Sequence, residues 1–183
     1  NKGIFVLFEG GEACGKTLQR DMCLDYFSRK YDTLAMREPG SAKASERIRE
    51  ILLDAGMKGK ISRLTELLLY ESSRAQFVSE ILKPALEQKK LVLCDRFYYS
   101  TIAYQGFGRG IDLKIIELLN DTASQGIKPD LAFIFDIPYE ESQARMEKAG
   151  RAKDRIEQEK RPFHEEVRQG YQYVAKNYRE AVL

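Results

Sequence analysis

Ile4-Phe5-Val6-Leu7-Phe8-Glu9-Gly10-Gly11-Glu12-Ala13-Cys14-Gly15-Lys16-Thr17 is the stretch whose reading decides the fold. A short apolar run ends in an octet that fits the phosphate-loop pattern G-x-x-x-x-G-K-[ST], and Leu18-Gln19-Arg20-Asp21-Met22 opens a helix directly after it. The pattern needs that context: a buried strand, a glycine-rich turn and a helix whose free N–H groups and positive dipole end hold a polyphosphate. On this reading Gly10, Gly11, Glu12, Ala13, Cys14, Gly15, Lys16 and Thr17 form the cradle. Lys16 reaches the β- and γ-phosphates, and the Thr17 hydroxyl sits on Mg²⁺. A plain glycine-rich turn with a solvated lysine is the competing reading. The strand, loop and helix start stand where the motif needs them, which disfavours it.

Outward from the loop, three more strand-like runs stand out, Thr33–Met36, Leu91–Cys94 and Leu131–Phe135. With Ile4–Phe8 they alternate with helical patterns over Leu18–Arg29, Ala42–Asp54, Leu64–Gln88 (interrupted near Pro84), Leu113–Ser124, Glu140–Lys148 and Pro162–Ala181. Nearly continuous apolar strands between helices predict an α/β fold with a mostly parallel sheet covered on both faces, and ligands outside the strands' carboxyl ends. The chain of 183 residues is expected to form one domain. Its net charge of +2 points to no nucleic-acid partner. No apolar run is long enough to span a membrane, and no end resembles a signal peptide, so the cytoplasm is the default. Three scattered cysteines, Cys14, Cys23 and Cys94, do not make a disulfide frame or a zinc site.

Chemistry-bearing residues follow the strands. Asp95 ends the third strand, where a Walker B carboxylate holds Mg²⁺, usually through water. An Asp that caps the next helix is the alternative, weakened by the phosphate loop upstream. Arg96 beside it is always charged and can fork onto a phosphate. The following run, Phe97 to Gly106, mixes aromatic rings with Ser100, Thr101 and Gln105, as a nucleobase pocket requires. Core packing competes for each ring. Arg37-Glu38-Pro39-Gly40 is either a simple turn or a loop that presents Arg37 and Glu38 to a substrate. Tyr70 and Arg74 share a helix face, as a surface pair or as a stacking ring and a donor for one base. Ala149-Gly150-Arg151-Ala152-Lys153-Asp154-Arg155 is either a solvated connection or a flap that lays cations over phosphates. His164, the sole histidine, is expected to be structural. The lack of a general-base constellation suits an acceptor that is itself a phosphate, mostly dianionic at neutral pH.

Together these residues resemble the bacterial-type thymidylate kinases of the P-loop nucleoside monophosphate kinase superfamily, from Phe5 to about Val174. The resemblance rests on Phe8-Glu9-Gly10 through Thr17, Arg37-Glu38-Pro39-Gly40, Asp95-Arg96-Phe97, Ser100 with Ala103-Tyr104-Gln105-Gly106, Asp154-Arg155-Ile156-Glu157, and Phe163-His164 with Val167-Arg168 and Gly170-Tyr171. It implies a three-layer P-loop kinase fold with a lid at about residues 149–157, a homodimer, and phosphorylation of dTMP by ATP with Mg²⁺. It places Lys16, Arg96, Arg151, Arg155 and Glu12 in catalysis, with Glu12 near the acceptor's 3′-hydroxyl and Arg96 on its phosphate. Thr17 and Asp95 belong to the metal network. Tyr70 stacks on thymine, Arg74 reaches its edge, Thr101 and Gln105 lie in the segment that reads it, and Tyr104 crowds the 2′ position. Arg37, Glu38 and Ser100 complete the acceptor set.

Ala13 stands where the family carries Gly or a basic residue, which shifts positive charge to Arg151, Lys153 and Arg155 and strains the loop if a positive φ is needed there. Leu18 replaces a hydroxyl residue and Ser41 a second glycine. A fifth strand is expected beyond Leu183. Two rivals remain at this point. One is a kinase for another nucleoside monophosphate or for a nucleoside, the latter calling for a base such as Glu12 or Glu38. A non-catalytic nucleotide switch leaves the lid cations and the aromatic run without a task.

Overall fold

The computed structural model describes residues 2–183. Five parallel strands form one sheet in the order β2-β3-β1-β4-β5: β1 (Ile4–Gly10), β2 (Thr33–Arg37), β3 (Leu91–Asp95), β4 (Leu131–Phe135) and β5 (Ala181–Val182). Three strands run past their apolar stretches into polar residues. The register sets Asp95 beside Phe8 on one side and Arg37 on the other, and Gly10 beside Phe135. One sheet edge therefore collects the phosphate loop, Arg37 and Asp95.

The helices are α1 (Lys16–Phe27), α2 (Lys43–Leu53), α3 (Arg63–Phe77), α4 (Lys83–Glu87), α5 (Tyr98–Thr101), α6 (Leu113–Ser124), α7 (Tyr139–Ala149) and α8 (Arg161–Asn177). The core joins Phe5 and Leu7 of β1 to Val92 of β3, Ile134 of β4, Phe77 of α3 and Tyr171 and Val174 of α8. Phe97 meets Phe5 edge-on at 5.2 Å. Among the described residues, no helix is long and apolar enough to cross a membrane.

Three expectations need correction. The fifth strand lies inside the chain, at Ala181–Val182, not beyond Leu183. The helical pattern carried to Ala181 stops at Asn177, where Tyr178 turns extended (φ −113°, ψ 119°); two residues are too few to show strand periodicity. The long helix through Pro84 breaks earlier, in a π-turn at Val78–Leu82 where the Lys83 N–H donates to Val78 O. That widening lets Pro84 enter the first turn of α4, where its missing N–H is no loss. The aromatic run is helical: α5 passes into a π-helical segment, Ile102–Gly108. Phe97 and Tyr99 are wholly buried in the core, so packing claims them.

Helix α8 crosses this π-helical segment at close range because Gly170 lacks a side chain. A Cβ there would lie 2.6 Å from the Ala103 Cα. Gly170→Ala is expected to destabilise the protein by about 1–3 kcal/mol through overpacking, seen as a lower urea midpoint.

Candidate active site

The phosphate loop is held by backbone conformations that the sequence partly resists. Gly10 (φ 142°) and Gly15 (φ 96°) occupy glycine territory, and a Cβ on Gly10 would meet the Phe135 carbonyl at 2.4 Å. Ala13 sits at φ 53° and Ser41 at φ 72°, each left-handed at a cost of about 1–2 kcal/mol. The strain foreseen at Ala13 is present. Helix α7 supports the loop from behind, with Ser142 Oγ donating to Glu12 O at 2.8 Å. Lys16 is buried, and its Nζ donates to Gly11 O at 3.0 Å, folded over the loop as a phosphate would find it. Thr17 Oγ1 donates to Asp95 Oδ2. Hydroxyl and carboxylate thus meet at the head of α1, an all-oxygen pair that suits a hard cation. Cys14 is buried.

Arg96 is the centre of the site. Its backbone is left-handed, φ 70°. Its guanidinium donates to Gly10 O (2.9 Å), Ser100 Oγ (3.2 Å), Tyr171 OH (2.8 Å), Glu12 Oε1 (3.0 Å) and Tyr104 OH (3.1 Å). Tyr104 OH also donates to Glu12 at 2.6 Å. Burial works against the Arg96 charge, yet the surrounding Tyr104, Tyr171 and Glu12 raise its pKa well above the ordinary value. Burial would push the Glu12 carboxyl up, but Arg96 and Lys16 bring it down to about 2. Behind Arg96 lies Glu9, fully buried, accepting from the Phe97 N–H, Ser100 Oγ and Tyr171 OH. Burial raises its pKa, with Arg96 opposing.

Two cavities meet at this cluster. One is lined by Pro39, Tyr70, Arg74, Phe97, Ser100, Thr101, Tyr104 and Gln105. The other is lined by Lys16, Thr17, Leu18, Arg37, Asp95 and Arg151. Glu12, Glu38, Arg49, Arg96 and Asp154 line both. Arg74 is no surface residue: it is 1% exposed. It donates to Glu71 (2.6 Å), Asn120 (2.9 Å) and Thr101 (2.9 Å), and pairs with Glu38 (2.9 Å). Burial, with Glu71 adding, pushes Glu38 up to about 8, although Arg74 opposes. Arg37 pairs with Glu46 at the cavity rim.

The lid cations divide. Arg151 faces the phosphate cavity, paired with Glu157. Arg155, expected there too, is instead 3% exposed and turned inward, donating to Glu66 at 2.5 Å and to Leu52 O at 2.7 Å. The segment carrying Arg155 packs on α2 and α3, where a buried carboxylate attracts the guanidinium more strongly than an open cavity. Lys153 turns to Gln143 at 2.7 Å. His164 lines neither cavity, and burial lowers its pKa.

Arg49, Glu66 and Asn120 escaped the sequence reading, and Glu9 and Tyr171 stood in its motifs without an assigned role. Glu9 carried the same signal as Asp95, a carboxylate ending an apolar strand. Arg49 looks no different from Arg47 in a charged helix, yet Arg47 is exposed and Arg49 reaches both cavities.

The thymidylate kinase family model matches residues 8–183. A thymidylate kinase of Thermoanaerobacter sp. (strain X514) is 44% identical over 178 residues, which cover 97% of this chain and 86% of that protein. One of Geotalea daltonii is 44% identical over 182 residues, covering 96% and 85%. The crystal structure of thymidylate kinase from Ehrlichia chaffeensis superposes with a TM-score of 0.80 at 34% identity, over 100% of this chain and 86% of that one. With a phosphate loop, a carboxylate-ended third strand and two cavities meeting at Arg96, the chain belongs to the thymidylate kinase family.

Proposed function

We propose that this protein transfers the γ-phosphoryl group of ATP to dTMP, giving ADP and dTDP. The observation that carries this is the pair of cavities joined at Arg96: a phosphate loop on one side, a ring-lined cavity on the other. Two phosphorylated ligands would meet end to end there, with the transferred group between them.

An oxygen of the dTMP phosphate forms the new bond to the γ-phosphorus as its bond to the bridging oxygen of ADP breaks. The acceptor is already anionic, so alignment and charge neutralisation carry the catalysis. The loop N–H groups and Lys16 hold the donor phosphates. Arg96, with Arg37 and Arg49 nearby, fixes the acceptor phosphate. Arg151 brings lid charge to the transferred group. Tyr70 offers its ring to thymine, Arg74 sits at the base edge, and Thr101 and Gln105 complete the wall. Glu12, ionised, accepts from the 3′-hydroxyl, and Tyr104 leaves no room for a 2′-hydroxyl. Mg²⁺, when bound, would neutralise charge on the donor phosphates. Thr17 and Asp95 are the residues to hold it. Free cysteines at 14, 23 and 94 suit the reducing cytoplasm, where both substrates are found.

A panel of nucleotide and nucleoside acceptors with coupled ADP detection tests the reading. The purified protein is expected to turn over dTMP in preference to thymidine and the other monophosphates; preference for thymidine would overturn it. Lys16→Ala is expected to lower kcat by about 10²–10³-fold. Arg96→Lys keeps the charge but cannot hold five partners in a planar fork. It should reduce kcat/KM for dTMP by at least about a hundredfold while the KM for ATP changes little.

A homodimer is also proposed. The neighbouring helices α2, α3 and α6 expose Ile51, Leu64, Leu68, Ile115 and Leu118. Such apolar area on one side of a soluble domain calls for a partner. Sedimentation should give a dimer, and Leu64→Glu with Leu118→Lys a monomer; a monomeric unmodified protein would exclude it.

A further inference from the structure

Glu66 lies in the first turn of α3, is 1% exposed, and has no place in the chemistry above. Its carboxylate accepts from three residues in two segments. Gln105 Nε2 donates at 2.9 Å from the wall of the base cavity. Arg109 donates through Nε and Nη2, both at 3.0 Å, just beyond the π-helical segment. Arg155 donates at 2.5 Å from the lid. Arg109 also reaches Glu159 at 2.7 Å, past the other end of the lid.

Burial alone would raise the Glu66 pKa, but the hydrogen bonds and charges of Arg109, with Gln105 and Arg155, hold it below the ordinary value. An ionised carboxylate only accepts, so Gln105 must turn its amide nitrogen to Glu66. Its carbonyl oxygen is then left for the base cavity. That suits a base with an N–H at this edge, such as thymine, and opposes one with a bare ring nitrogen, such as cytosine. At the other end, the Arg155 Nη2 is buried with no hydrogen-bond partner. Its placement therefore depends on Glu66 and Leu52 O, and it has a donor to spare when the lid moves.

We infer that Glu66 is a positioning residue that ties the base-reading amide of Gln105 to the lid through Arg155, so that the lid's seat over the phosphates depends on a correctly oriented base site. The inference rests on the dTMP kinase reading. Among the described residues, no hydrogen bond joins Gln105 to Arg155 directly; the shared carboxylate is their link.

The test is a double-mutant cycle with Gln105→Met and Arg155→Met, reading kcat/KM for dTMP at saturating ATP. Residues without a shared partner change rates multiplicatively to within about twofold, whereas members of one network do not. The double variant is expected to lose at least about fivefold less than the product of the two single losses, and this coupling should vanish in a Glu66→Gln background. Multiplicative losses within twofold would overturn the inference; a purely structural Glu66 would give that result. If Arg155→Met does not fold, hydrogen exchange decides. Binding of dTMP should protect residues 151–158 in the unmodified protein and markedly less in Gln105→Met, and equal protection would overturn the link. An unmodified enzyme that prefers another acceptor would refute the dTMP reading alone, and the cycle would then be run with that acceptor.

Discussion

The site depends on one partly buried cation whose backbone is held in an unfavourable conformation. Arg96 turns left-handed at the end of β3, at a cost of about 1–2 kcal/mol. Its five side-chain hydrogen bonds more than offset that, since bonds to charged groups contribute about 1.5–3 kcal/mol each. Those bonds bind β1, the phosphate loop, α5, the π-helical segment and α8 to one guanidinium. The two cavities that meet at Arg96 are thereby fixed relative to each other. In phosphoryl transfer, such fixed alignment is the main thing a protein can supply.

Two further ionic clusters flank Arg96 with opposite stoichiometry. Around Arg74, one guanidinium faces two carboxylates, Glu38 and Glu71. Around Glu66, one carboxylate faces two guanidiniums, Arg109 and Arg155. Both are buried behind the base cavity, where apolar residues would pack as well. Ionic groups hold directions that apolar packing does not, and a base edge is read by direction. Burial shifts Glu38 toward its neutral form, with the second carboxylate, Glu71, adding and Arg74 opposing.

The loop's departures have a physical meaning in the fold. Ala13 adopts a left-handed conformation without glycine's freedom, braced by α7 through the Glu12 and Ala13 carbonyls. With no basic residue at that position, Arg151 is the lid cation that lines the phosphate cavity. Ser41 accepts the same strain and recovers it locally: its N–H donates to Glu46 and its hydroxyl to the Arg37 carbonyl.

Much of this was legible in the chain. The strand-loop-helix at Ile4 to Met22, the four main strands, and the carboxylate and arginine that close β3 all follow from local pattern, because apolar periodicity and glycine placement are local properties. The short β5 was not legible, since two residues have no period and gain strand character only from pairing with β4. Nor was the fate of like residues. Arg151 and Arg155 stand four apart in one charged stretch, yet one faces the cavity beside the loop and the other a buried carboxylate 89 residues away in sequence. The sequence by itself determined which chemical groups are present and at which strand ends they lie. Tertiary structure alone decided which charges meet, because a long-range ion pair depends on the desolvated neighbours that folding brings to it.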